Sequence, residues 1–386
     1  MDARNERRLA RRRAQVKRRR RTALVVLSVA LAGIGALVWT SLGDGSPTRR
    51  TRSVEHSATK HRTTLTPTEP ITIQWVGDTV LGSSYGLPPS GGRDSLAEVS
   101  RSLRLGDITW GNLEETLGDG GTSHCAGSSS STCFAFQAPR SYARLLTAAG
   151  FELVNLANNH GHDFLESGMR QTESALRRAH LRWTGRPRQI TVLRKKGVRV
   201  AFVGFAPYPW ASRLEDVAAA RRLVRKADAR ADLVVVAIHA GAEGSDATHV
   251  PHGVEYYLGE NRGNSRRFTH AVIDAGADLV VGSGPHVIRG VEWYHGRLIA
   301  YSTGNFAGYH NFGLGGTLSL SAIFRVTLRP SGSFVKGRWI SVLLVGPGLP
   351  ELDSSKASLH LVSSLSREDF GAHAARFRSD GQIRRG

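Results

Sequence analysis

At 386 residues, with 40% apolar and 22% charged side chains, the chain is long enough for one large domain or two modest ones around a real core. Its formal net charge of +20 suggests a nucleic-acid partner. The distribution of that charge argues against one: residues 1–21 hold eleven Arg and Lys against Asp2 and Glu6, so about nine of the twenty surplus charges sit in a single terminal block.

Residues 22–42 follow directly and carry no charge, only Ala, Leu, Val, Ile, Gly, a few hydroxyls and one Trp. At 1.5 Å per helical residue they are long enough to cross roughly 30 Å of hydrocarbon. Trp39 suits an interfacial aromatic, and the basic block before the span fixes the N-terminus in the cytoplasm, so the main domain is expected outside the cell membrane. Two alternatives stay open: a nucleic-acid-binding tail, and a cleaved signal peptide, for which Ala30, Ala32, Gly33, Gly35 and Ala36 supply small residues. The apolar run exceeds a usual signal core, which favours an uncleaved single-pass anchor. Residues 43–69 are rich in Ser, Thr, Pro and charge and bury too little to order themselves, so they read as a flexible tether.

From Ile71 onward, short β-branched runs alternate with longer amphipathic stretches, the pattern of a layered α/β domain over residues 70–350. Strands are predicted at 71–76, 107–113, 151–156, 198–204, 233–238, 279–281, 297–301 and 318–326. Helices are predicted at 95–105, 140–149, 166–179, 212–226 and 265–275, with Pro139 and Gly150 bracketing the second. Residues 351–386 read as a C-terminal segment, partly frayed. Cys125 and Cys133 are the only cysteines; in an oxidising compartment they read as a disulfide closing a small loop, with two free thiols as the alternative.

Five apolar runs end in polar groups able to bind a metal. These are Asp78; Asn112 and Glu114; Asn158, Asn159, His160, His162 and Asp163; His239 and Glu243; and His286. In an open α/β sheet, ligands gather beyond the carboxyl ends of the strands, so residues two hundred positions apart can converge there. Carboxylate, amide and imidazole together suit a divalent ion such as Mn, Fe or Zn, which polarises a phosphoryl or carbonyl oxygen or activates water. Taken singly, an Asp after a strand is more often a cap and a His more often a satisfied polar side chain. A run with His249 and His252, followed by Arg262, Arg266 and Arg267, offers a wall for an acidic polymer, or else a solvated loop. The serine-hydrolase elbow and the phosphate-loop lysine motif are both missing, which speaks against ATP-driven ligation within this chain.

The motifs GDTVLG, NLEETL, ANNHGHDFLESG, IHAGAEG and GADLVVGSGPHVIRGVEWYHGRLIAYSTGNF resemble those of the CapA-type capsule and poly-γ-glutamate synthesis family, over roughly residues 71–316. The resemblance implies a layered α/β/β/α sandwich similar to calcineurin-like metallophosphoesterases. It also implies a role in synthesis or export of an anionic surface polymer such as poly-γ-glutamate, beside membrane polymer synthase subunits and without nucleic acid. On its motifs, Asp78, Glu114, Asn159, His160, His239 and His286 are the candidate metal ligands. His160, His239 and Glu243 are the catalytic candidates, and Asn112, His249, His252, Arg262 and Asn305 the substrate-binding ones. The chain departs from the metallophosphoesterase pattern at Val80 and Gly284, where histidines are usual, so a complete two-metal centre is not expected. The competing expectations are a metal-dependent phosphatase or phosphodiesterase of the cell envelope, and a polymer-binding module without catalysis.

Overall fold

The computed structural model describes residues 69–130 and 132–385, all within one compact unit. The expected basic tail, the expected anchor and nearly all of the expected tether lie outside the described residues. Among the described residues, no helix is long and apolar enough to cross a membrane.

Two sheets form the centre. The first runs in the order Leu349–Leu352, Phe334–Val345, Leu320–Leu328, Ile71–Val80, Ile108–Leu113, Leu153–Asn155, Arg182–Thr184, with Asn305–Gly308 also pairing the Ile71 strand. The second runs Ile288–Tyr294, Arg297–Thr303, Leu279–Ser283, Leu233–His239, Val198–Ala206, Thr191–Lys195. Alternation along each strand sorts side chains between two layers. Ile71, Ile73 and Trp75 pack with Val198, Val200, Phe202, Leu233 and Val235 of the other sheet. Trp110 sits between the layers, 4.6 Å from Trp75 and 4.9 Å from Phe202 between ring centroids. The opposite faces are covered by helices: Ala97–Leu103, Ala143–Ala149 and Leu165–Arg178 on the first sheet, Val217–Asp228 and Ser265–Ala275 on the second. The layers are therefore helix, sheet, sheet, helix.

Most of the predicted elements are present with shifted ends. The helix expected at 212–226 begins at Val217, because the Asp216 carboxylate caps it by accepting the Ala219 amide at 2.8 Å. Ser212 and Arg213 instead pair with the Val198 strand. The strands at Ile288–Tyr294 and Phe334–Val345 were not anticipated from sequence; the first is interrupted by Arg289 and Glu292, both buried and paired, which disguise its burial.

The expectation of a frayed C-terminus does not hold. Ala357–Phe370 is a helix whose Leu359, Val362 and Leu365 enter the inter-sheet core, and Ile383 joins them from the closing hairpin. Cys125 and Cys133 form a disulfide, with Cα atoms 5.8 Å apart.

Candidate functional site

The first strand delivers Asp78 to the centre of the molecule. Gly77 makes this possible: a Cβ there would lie 1.8 Å from the Gly304 carbonyl, which accepts the Asp78 amide at 3.1 Å. Asp78 stands in register with Asn112 on one side and Asn305 on the other. Asn155 and Asn158 each donate to Asn112 Oδ1 at 3.0 Å, so its amide points Nδ2 toward Asp78 Oδ1 at 2.8 Å. The second Asp78 oxygen accepts the Gly284 backbone N–H at 3.1 Å.

Around this fixed carboxylate stand Glu114, His239 and His286. His286 holds a left-handed backbone (φ 60°), uncommon for a non-glycine residue. Its Nδ1 lies 2.8 Å from Asn305 Oδ1 and 3.3 Å from Asp78 Oδ2. Its Nε2 faces Glu243 at 3.6 Å and Glu114 at 3.9 Å. Burial opposes protonation of this ring, but Glu114, Glu243 and Asp78 outweigh it and push its pKa up to about 10. Burial alone would raise Asp78, yet the hydrogen bond and charge of His286, with help from His239 and Asn112, hold it below the usual carboxylate range. Burial and the neighbouring Asp78 and Glu243 push Glu114 well above that range.

His239 is fully buried; its Nδ1 lies 3.3 Å from Asn112 Nδ2 and 3.2 Å from Ser283 Oγ, and its Nε2 lies 3.3 Å from Arg262 Nη2 and 3.5 Å from Glu114 Oε1. Burial, then Arg262 and the other imidazoles, push its pKa well below the ordinary value, so the ring is neutral. Arg262 is itself buried and committed: its Nη1 pairs with Glu243 at 2.6 Å and donates to Tyr208 at 3.1 Å. It is a strut for Glu243 and His239, not an exposed hand for a polymer.

Glu114 lies at the bottom with neither carboxylate oxygen accepting a hydrogen bond. A fully buried carboxylate without donors is costly unless a cation completes it. One ligand atom each from Asp78, Glu114 and His286 falls within a 4.8 Å cluster, and these oxygen and imidazole donors are of the kind a single divalent ion takes. No second imidazole could enter from Gly284: with φ 114°, a Cβ there would lie 2.9 Å from the Ala240 amide nitrogen.

Beside the cluster opens a cleft of about 600 Å³ lined by Asn159, His160, Tyr208, Trp210, Glu243 and Arg262, with the disulfide loop as its other wall. His160 belongs to this cleft, with its Nδ1 held by Asp163 at 2.8 Å. Asn159 contributes an amide oxygen that has no hydrogen-bond donor. His249 and His252 do not line the cleft. His249 is 57% exposed and bound to Asp369 at 2.8 Å, and His252 offers its carbonyl to Asn264. Sequence reasoning missed Glu115, buried beside Glu114, whose pKa burial pushes up to about 8 against the pull of the Leu81 and Gly82 amides that it accepts. The doubled acid in NLEE was its only signal.

The architecture and the cluster together define a four-layer α/β protein with a buried carboxylate–imidazole centre where strands from both sheets end. The bacterial capsule synthesis protein PGA_cap family model matches residues 72–309, and the chain belongs to that family. It is 27% identical over 255 residues to the PGA biosynthesis protein CapA of Bacillus subtilis, covering 61% of this chain and 63% of that protein. It is 30% identical over 208 residues to the capsule biosynthesis protein CapA of Bacillus anthracis, covering 48% and 46%. The matches thus span less than two thirds of either relative. Among solved structures, the NAD nucleotidase of Haemophilus influenzae aligns over 78% of this chain and 56% of its own at 12% identity, with a TM-score of 0.39, too loose to place the fold further.

Proposed function

We propose that this protein is a membrane-anchored component of anionic surface-polymer synthesis or export, poly-γ-glutamate being the polymer the relatives' names suggest. Its described domain then works outside the membrane, beside the synthase subunits. The uncharged residues 22–42 behind eleven basic ones support the anchor.

In this reading the cluster beside the cleft holds one divalent ion, Mn, Fe or Zn, on Asp78, Glu114 and His286. The observation that carries it is the pair of Glu114 oxygens, fully buried and without a donor. When bound, such an ion supplies Lewis-acid polarisation of a phosphoryl or carbonyl oxygen. The protein's own groups do the rest. Asn112 and the Gly284 amide hold Asp78 in one orientation, and Asn305 does the same for His286. Arg262 aims Glu243 at the cleft, where it is placed to accept a proton from a nucleophile. His160, fixed through Asp163, faces the substrate space from the other side. A metal-dependent phosphoester hydrolase is one activity this arrangement would serve, with one ion held by Asp78, Glu114 and His286 and no imidazole at Val80 or Gly284 for a second.

The test is metal analysis of the purified full chain after supply of Mn, Fe or Zn, alongside turnover of a generic phosphodiester. About one equivalent of metal is expected, lost in Glu114→Gln; absence of any bound transition metal would overturn the reading. Protease added to intact cells should digest the domain and leave a small N-terminal fragment in the membrane.

A further inference from the structure

Residues 177–196 contain eight Arg and Lys and no Asp or Glu. They run from the end of the helix Leu165–Arg178 through the edge strand Arg182–Thr184 of the first sheet to the edge strand Thr191–Lys195 of the second. Two cavities open along this path, of about 510 and 440 Å³, and they share His180 and Arg182 in their walls. They therefore form one continuous groove along the adjoining edges of the two sheets.

The groove is disjoint from the central cleft. It receives Phe151 and Glu152, at the start of the strand whose other end carries Asn155 toward Asn112. The two sites sit at opposite ends of that strand.

The wall chemistry is cationic above and apolar below. Arg177, Arg182 and Arg194 are exposed and, among the described residues, make no ion pair. Arg177 is held over the Trp183 ring at 5.6 Å, which orders its charge without neutralising it. Glu152 is the one acid in the walls, and it is answered by Lys195 at 3.2 Å. Leu181, Trp183 and Leu193 supply the apolar floor. Unneutralised arginines spaced along a groove match a chain of repeated carboxylates, which each guanidinium can take in a two-point contact. A compact ligand would use one cavity; two joined cavities fit an extended one.

We infer that this edge groove, built on Arg177, Arg182 and Arg194, is a second binding site that holds an extended polycarboxylate chain away from the central cleft. The inference rests on the polymer role proposed above. Such a site keeps a growing or exported chain attached while another part of it is handled at Asp78 and Glu114.

The test uses the full chain in neutral detergent with fluorescently labelled poly-γ-glutamate, read by anisotropy over a salt series. Three proteins are compared: the wild type, the double variant Arg182→Glu/Arg194→Glu, and Glu114→Gln. The basic block at 1–21 is common to all, so differences report the groove or the cleft. At least a tenfold weaker Kd and a shallower salt slope are expected in the double variant, with its melting temperature and metal content unchanged, and a smaller loss of affinity is expected in Glu114→Gln. Unchanged affinity in the double variant overturns the groove. So does loss of polymer binding in Glu114→Gln alone, which leaves the cleft reading standing. A duplex DNA of equal charge that binds the wild type more tightly than the polycarboxylate, and is lost in the double variant, also overturns it in favour of a nucleic-acid surface. Normal groove binding in a protein that takes up no metal overturns only the cleft reading.

Discussion

Replacing Glu114 by Gln should invert the stability order of two proteins depending on whether metal is present. Glu114 is fully buried, neither oxygen accepts a hydrogen bond, and burial with the nearby Asp78 and Glu243 disfavours its charged form. An unsatisfied buried polar group costs about 1–3 kcal/mol, and more when charged. Gln keeps the shape, stays neutral at every pH and brings N–H donors toward the Asp78 and Glu243 carboxylates, so the metal-free variant should be more stable by about 1–3 kcal/mol. For a domain this large, each kcal/mol shifts Tm by roughly 2 °C, giving a rise of about 2–6 °C. With an ion at a hundred times its Kd, the wild type gains about 2.7 kcal/mol by mass action, and the variant, having lost a ligand, gains little. The assay is calorimetric melting of both proteins after chelation and again with added Mn or Zn. The curves should exchange order on adding metal. A chelated variant that melts below the chelated wild type would refute the claim that Glu114 lacks a partner, and an equal metal-induced shift in both would refute its role as a ligand.

Gly284→Ala should destabilise by about 1–3 kcal/mol, since φ 114° disfavours any side chain and the new Cβ meets the Ala240 nitrogen; a denaturant midpoint within error of wild type contradicts this. It should also lower metal content, because the Gly284 amide holds Asp78. Leu365→Ala should cost about 2–5 kcal/mol, as the C-terminal helix fills the inter-sheet core; a loss under 0.5 kcal/mol in urea melts would mark that helix as peripheral after all. Removing the disulfide by Cys125→Ser/Cys133→Ser should cost about 2–3 kcal/mol, the chain-entropy value for so short a loop. The same pair of changes should weaken substrate binding, since the loop forms a wall of the cleft. Alkylation of two thiols in the unreduced wild type would show the bond absent.

The layered α/β class and the polar clusters at strand ends were legible in the sequence because both are local signals. Buried strands read as β-branched runs, and Asp78, Glu114, His239 and His286 lie at or just beyond the ends of such runs. Long motifs around them carried the family resemblance, which the match over residues 72–309 agrees with. What the sequence could not rank was which polar groups meet. His249 and His252 sit nearer His239 in the chain than Arg262 does, yet Arg262 turns inward on the hairpin Glu255–Tyr257/Glu260–Gly263 while His249 is drawn to Asp369, 120 residues away. Nor does spacing reveal that Gly284 closes against Ala240, or that the C-terminal helix belongs to the core. Periodicity reports which face of an element is buried; it does not report what lies opposite. That is decided when two sheets of fixed register come within contact distance, and the identity of each partner follows from that packing alone.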